Sequence, residues 1–192
     1  MTVTVKQADN MKRCKRSEIK PIRYFDPLTG LANAHLVKTD IEHAIIEAKQ
    51  TNSSFAIMFI NLNRFNVINN IGGYETGDYV LKDVTSRILK CLDETSILAR
   101  WHSDNFICLL PQATKGSVTT LCKSISEKLA KPINADGHQF KLTTSIGTCF
   151  YPENGEHVNQ LITYAEAAMN QAKRQEMNEP FFYRSSMNGH SL

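Results

Sequence analysis

The 192-residue sequence is 42% hydrophobic and 21% charged, with a formal net charge of +3, which is enough apolar material for one domain with a sizeable core. So small a positive surplus does not suit a protein that tracks phosphates along a nucleic acid, and DNA and RNA are excluded as expected partners. The five cysteines, Cys14, Cys91, Cys108, Cys122 and Cys149, are odd in number and scattered, with no C-x-x-C pair and no zinc-ligand spacing. They read as reduced thiols in a cytoplasmic protein without a structural metal.

No apolar run approaches the roughly 18 residues needed to span a bilayer, so no membrane contact is expected. Residues 1–23 are polar and basic, with Lys12, Arg13, Lys15, Arg16, Lys20 and Arg23 close together. Because no apolar stripe accompanies these charges, they read as a connecting segment. After the turn-rich "DPLTGLAN", Leu36, Ile41, Ala44, Ile45 and Ala48 recur at helical spacing, and Asn52 and Ser53 end that helix. The continuous apolar run Phe55 to Ile60 has the length of a buried central strand.

A short helix around Phe65 to Ile71 follows, then a glycine-broken loop, "IGGYETGD", and a longer helix carrying Val80, Leu81, Val84, Ile88, Leu89 and Leu92. "ARWHSDNFICLL" reads as two strands and a turn, with His102 and Ser103 where a tight hairpin favours glycine or asparagine. His102, Ser103 and Asp104 contain the letters of a catalytic triad, but successive strand residues point to opposite faces and do not build one. A helix around 117–130, a strand pair around 140–150, a helix around 158–174 and a strand at 181–183 complete the order. Helices alternating with strands predict an α/β sandwich with a mixed sheet.

Read in order, "DPLTGLAN", "NLNRFNVINNIGGYETGDYVL", "RWHSDNFICLLP", "TTSIGTCFYP" and "YAEAAMNQAK" resemble the GGDEF family. Active members of that family are diguanylate cyclases, which condense two GTP molecules into cyclic di-GMP. The resemblance covers residues 24–184 and implies the family's fold, a central five-stranded mixed sheet wrapped by helices and related to the palm of nucleotide cyclases. The ending "FFYRSSMN" resembles the segment that joins a GGDEF domain to a following EAL domain. Residues 185–192 are accordingly expected to begin a linker to an EAL domain in a tandem protein.

The resemblance also implies a carboxylate deficit. Joining a 3′-hydroxyl to an α-phosphate calls for divalent metal, and Mg²⁺ is held by carboxylate oxygens. In active relatives one metal-binding aspartate ends the first core strand, where this chain has Asn61, and the second aspartate of that motif falls at Asn63. At the hairpin, R-x-G-G-D-E-F becomes Arg100, Trp101, His102, Ser103, Asp104, Asn105 and Phe106. Each lost unit-charge contact near 4 Å removes roughly 1 to 4 kcal/mol of attraction for a metal ion. The family's phosphate-gripping lysine becomes Asn66 and its late arginine falls at Met177, leaving Lys173 from that set.

Asn69 and Asp78 match the family's guanine-recognising positions, and with Lys173 they are the candidate nucleotide-binding residues. Each has a plainer reading as well: a turn or cap for Asn69, a helix-start acid for Asp78, a solvated lysine for Lys173. The family's product-inhibition motif, R-x-x-D, would fall at Asp93, Glu94, Thr95 and Ser96 and is absent; His35 with Ala34 displaces an arginine pair. The other histidines, His43, His138, His157 and His190, sit at no metal-like spacing.

These readings predict a catalytically inactive GGDEF domain, with no catalytic residues, no metal site and no required cofactor. It is expected to regulate or scaffold an adjoining EAL domain, to bind GTP or GDP weakly, and to pair with a second copy or a protein partner. The competing expectation is a divergent but active cyclase making cyclic di-GMP from two GTP, which would need Mg²⁺ at Asp104 and its amide neighbours.

Overall fold

The computed structural model describes residues 21–175 and 180–184. The basic run up to Lys20, Cys14, Met177 and the expected linker 185–192 lie outside the described residues. The elements, in order, are α1 (Pro21–Tyr24), β1 (Ala32–Asn33), α2 (Ala34–Thr51), β2 (Phe55–Leu62), α3 (Phe65–Leu89), β3 (Ile97–His102), β4 (Asn105–Pro111), α4 (Lys115–Leu129), β5 (Ile133–Ala135), β6 (His138–Phe140), β7 (Thr144–Tyr151), α5 (Val158–Arg174) and β8 (Phe181–Phe182). Among the described residues, no helix is long and apolar enough to cross a membrane.

The main sheet has six strands in the order β1-β3-β4-β2-β7-β8. Its three internal neighbours, β3 with β4, β4 with β2 and β2 with β7, are antiparallel, while the two edges are parallel additions. The expectation of five strands is corrected to six, because Ala32–Asn33 forms an edge strand too short to show any periodicity. The expected strand pair around 140–150 is also divided. β6 pairs with β5 in a separate two-stranded sheet, and only β7 joins the main one.

All eight residues of β2 are buried. Ala56, Met58, Ile60 and Leu62 pack with α3 and α4 on one face, and Phe55, Ile57 and Phe59 pack with α2 and α5 on the other. Two-sided coverage explains why β2 reads as a continuous apolar run, and each fully buried large side chain contributes about 1.5–3 kcal/mol. The α5 backbone approaches β7 closely. A Cβ at Gly147 would stand 1.9 Å from the Met169 amide nitrogen and 2.4 Å from the Ala165 carbonyl oxygen, so only glycine fits this seam. Ala165, Ala168 and Ala172 keep the facing side of α5 low and are fully buried.

The predicted short helix, loop and longer helix form α3, which is interrupted at Gly73 by left-handed backbone (φ 76°, ψ 176°). Asn33 caps α2 by accepting from the His35 and Leu36 amides, both at 3.0 Å. Thr114 and Ser117 form a reciprocal capping box on α4.

Candidate functional site

Strand register brings the end of β2 to the hairpin tip, since Asn61 pairs with Asn105 across the antiparallel ladder. The β3–β4 connection is tight. His102 pairs with Asn105, the register shifts between Arg100 and His102, and Ser103 takes a left-handed conformation (φ 49°). The tip is fastened to β2 by a backbone bond from the Leu62 amide to the Asp104 carbonyl (3.1 Å).

Asn61 is 4% exposed and sits at the centre of a side-chain network. Its Nδ2 donates to Asn105 Oδ1 (2.9 Å) and to Asp104 Oδ2 (3.1 Å), while its Oδ1 accepts from Lys173 Nζ (2.8 Å). The chemistry of the partners fixes the amide's orientation: a flip would set oxygen against two oxygens and the amino group against an ammonium. Lys173 comes from the last turn of α5, where a cation also complements the helix dipole.

Asn63 serves a different contact. Its Nδ2 donates to Thr143 Oγ1 (3.2 Å) and its Oδ1 accepts from Ser145 Oγ (2.9 Å), tying the exit of β2 to the start of β7. His102 Nδ1 lies 3.3 Å from Asn105 Nδ2, a pairing that calls for a neutral imidazole with its proton on Nε2. Trp101 is half-buried on the hairpin, edge-on to Phe59 at 6.1 Å and beneath the Lys38 ammonium at 5.3 Å.

Sequence reasoning missed the ion pair between Asp26 of "DPLTGLAN" and Arg100. Arg100 Nη1 contacts Asp26 Oδ2 at 3.1 Å, with both side chains mostly buried, and Arg100 Nη2 donates to the Ser103 carbonyl at 2.8 Å. Burial alone would raise the Asp26 carboxyl, but hydrogen bonds from the Thr29 side chain and backbone, with the Arg100 guanidinium, hold it below its ordinary value. Two opposite charges separated by 74 positions give no local signal in the sequence.

Asn69 is half-buried and Asp78 exposed, on the two halves of α3 either side of Gly73. Asn69 Oδ1 lies over Gly77, 2.0 Å from where a Cβ there would stand, so the kink folds Asn69 back against the residue preceding Asp78. Lys173 is engaged with Asn61. At the position of the missing inhibition motif, the Asp93 carboxylate accepts from Thr95 and Ser96 backbone and hydroxyl groups, at 2.8 to 3.0 Å. It is thereby committed to a local turn.

Three of the four tip residues, Asp104, Asn105 and His102, are therefore joined to Asn61 and Lys173 in one hydrogen-bonded group, in which Asp104 is the single carboxylate. Among the described residues, no cluster of three or more His, Cys, Asp or Glu could hold a metal ion. In this group the Asn61 amide hydrogens face the tip oxygens of Asp104 and Asn105, and the Lys173 ammonium faces the amide oxygen.

The profile of the diguanylate cyclase GGDEF domain matches residues 23–179. The chain belongs to the GGDEF family. It is 30% identical over 184 residues to MucR of Pseudomonas aeruginosa, named a bifunctional diguanylate cyclase/cyclic di-GMP phosphodiesterase, covering 96% of this chain and 27% of MucR. It is 28% identical over 162 residues to PdeR of Escherichia coli, named a cyclic di-GMP phosphodiesterase, covering 84% of this chain and 24% of PdeR. The chain thus spans about a quarter of the length of these curated relatives.

Among solved structures, the GGDEF domain of TpbB from Pseudomonas aeruginosa superposes with a TM-score of 0.82 at 29% identity, covering 86% of this chain and 98% of that one. The mixed sheet and its covering helices are those of a GGDEF domain, a domain of cyclic di-GMP signalling. The named relatives of this GGDEF domain include makers and degraders of that messenger.

Proposed function

We propose that this GGDEF domain is non-catalytic and acts as a cytoplasmic regulatory or scaffolding module that controls an adjoining EAL-type phosphodiesterase domain in cyclic di-GMP signalling. The observation that carries this reading is the hydrogen-bonded group at the hairpin tip, where one carboxylate, Asp104, is surrounded by the amides of Asn61 and Asn105 and by Lys173. Phosphoryl transfer between two polyanionic nucleotides depends on preorganised positive charge at the reacting phosphate, and metal is the usual source. The side chains of His102 and Ser103 add bulk where the family's glycines let substrate approach the backbone. Support for a regulatory role comes from relatives named as phosphodiesterases, of which this chain matches a limited part.

Guanine nucleotide binds weakly in this reading, through Asn69 and Asp78 on either side of the α3 kink, with no cofactor required. A nucleotide controls the neighbouring domain only by binding one of its states more tightly than the other. The test is incubation of the purified chain with GTP and Mg²⁺ or Mn²⁺. No cyclic dinucleotide is expected. Sustained turnover overturns the proposal and establishes a divergent active cyclase in which Asp104 and its amide neighbours hold Mg²⁺. Calorimetry with GTP and GDP at millimolar concentration checks the nucleotide site, where Asp78→Ala is expected to abolish the heat of binding.

A further inference from the structure

We propose that the surface joining α1, the first turn of α2 and the end of β3 binds a purine nucleotide, with the base on the indole of Trp101 and the phosphate among the cations around it. This surface is separate from Asn69 and Asp78. Trp101 packs on the side of the sheet covered by α2 and α5, and α3 covers the other side.

Strand register sets the start of α2 beside β3, since Asn33 pairs with Arg100. His35 and Lys38 then share one face of α2, a turn apart, and each meets an aromatic ring. The His35 ring stacks on Tyr24 (centroids 5.4 Å apart, planes at 30°), and the Lys38 ammonium lies 5.3 Å from the Trp101 ring centre. Arg23 covers Tyr24 at 5.9 Å, its own carbonyl held by Asn33 Nδ2 (3.0 Å), and the His102 ring lies 6.4 Å from Trp101. Rings and cations thus alternate along one strip, with Arg23, His35 and His102 exposed and Tyr24, Lys38 and Trp101 half-buried. The Asp26 carboxylate, between α1 and β1, is already paired with Arg100 and does not offset the strip's charge.

This combination selects its ligand. Lys38 is held over Trp101 by a weak, partly exposed contact, so its ammonium can turn to a phosphate while a flat base takes its place on the indole. Stacking joined to charge is how single-stranded nucleic acids are gripped. A simple anion would use the cations and leave the ring bare, and a neutral aromatic would do the reverse. A nucleotide uses both, and a purine covers more of the indole than a pyrimidine. Two cations and one indole suit a single nucleotide unit, not a nucleic-acid track, in keeping with a net charge of only +3. A free nucleotide and a cyclic dinucleotide both present such a unit.

The experiment is equilibrium dialysis of the full chain carrying Asp78→Ala, which silences the α3 positions, against labelled GMP and labelled cyclic di-GMP. Saturable binding is expected, and the tighter of the two names the source of the nucleotide unit. Excess inorganic phosphate is expected to compete poorly, because it lacks a base. On the same background, Lys38→Gln is expected to weaken binding about fivefold, and Lys38→Arg, which keeps the cation, to restore it. Trp101→Leu is expected to weaken it about tenfold or more. Far-ultraviolet circular dichroism checks folding, and the Lys38 pair decides the matter if the Trp101 variant is not folded. No binding of either nucleotide, or equal affinity with and without the Lys38 charge, overturns the proposal. Phosphate competing as well as GMP overturns it too, reducing the strip to a charged surface. Binding that appears only when Asp78 is intact also overturns it and assigns the nucleotide to α3. Each of these results leaves the non-catalytic reading standing.

Discussion

At the seam between β7 and α5, Gly147 leaves no room for a Cβ, because the Met169 and Ala165 backbones are already in contact distance. At the tip of the β3–β4 hairpin, His102 and Ser103 stand where the family pattern has paired glycines, and the turn still closes with Ser103 in a left-handed conformation. Both places concern glycine, with opposite outcomes. The seam is limited by space between two pieces of backbone, which cannot yield without separating a helix from the sheet. The tip borders solvent, so added side chains project outward and the cost is confined to local backbone strain and to chemistry. A fold can thus keep its architecture while its cleft changes character.

The largest way to break this comparison is Gly147→Val, which is expected to destabilise the protein by about 3 kcal/mol or more, since the obstruction is backbone. Urea denaturation measures it, and a wild-type midpoint would show that the seam has slack. Arg100→Met comes next, at about 2 kcal/mol, because it strips charge-assisted hydrogen bonds from Asp26 and from the Ser103 carbonyl.

The Arg100 effect carries a pH signature. The folded Asp26 carboxyl lies below its unfolded value, so its stabilisation is fully present above the unfolded value and is lost as pH falls through the folded one. Denaturation midpoints of wild type and Arg100→Met are therefore expected to converge as the medium is acidified through that window. A constant gap would show that Arg100 acts through Ser103 alone.

Ser103→Gly sharpens the other side of the comparison, with an expected gain of up to about 1 kcal/mol from relief of left-handed strain. A loss there would mean the serine side chain contributes more than its backbone costs. The smallest effect is expected for Lys115→Met, which removes the exposed pair with Glu153 and changes stability by under about 0.5 kcal/mol.

The parts of the fold legible in the sequence were those with a long repeating signal. Phe55 to Ile60 announced β2 through unbroken apolarity, and α2 and the later half of α3 through the spacing of their apolar residues. Ala32–Asn33, with two residues of strand, has no period to detect, and the β5–β6 hairpin borrowed its apparent neighbour from β7. At the candidate site the residue types were readable, including the amides at Asn61 and Asn105. Their connectivity was not, because Lys173 lies 112 positions from Asn61 and meets it only after α5 has packed on the sheet. Asp26 and Arg100 were hidden for the same reason, and Lys173 read alone resembled a solvated helix lysine.

The only indole of the protein, Trp101, occurs once in 192 residues and sits on the strand leading into the tip, under the ammonium of Lys38. Its ultraviolet fluorescence, sensitive to the nearby positive charge and to wetting of the ring, is thus an intrinsic gauge of that corner of the molecule. Any ligand or neighbouring domain that shifts β3 against α2 will register as a change in colour or brightness, with no dye attached.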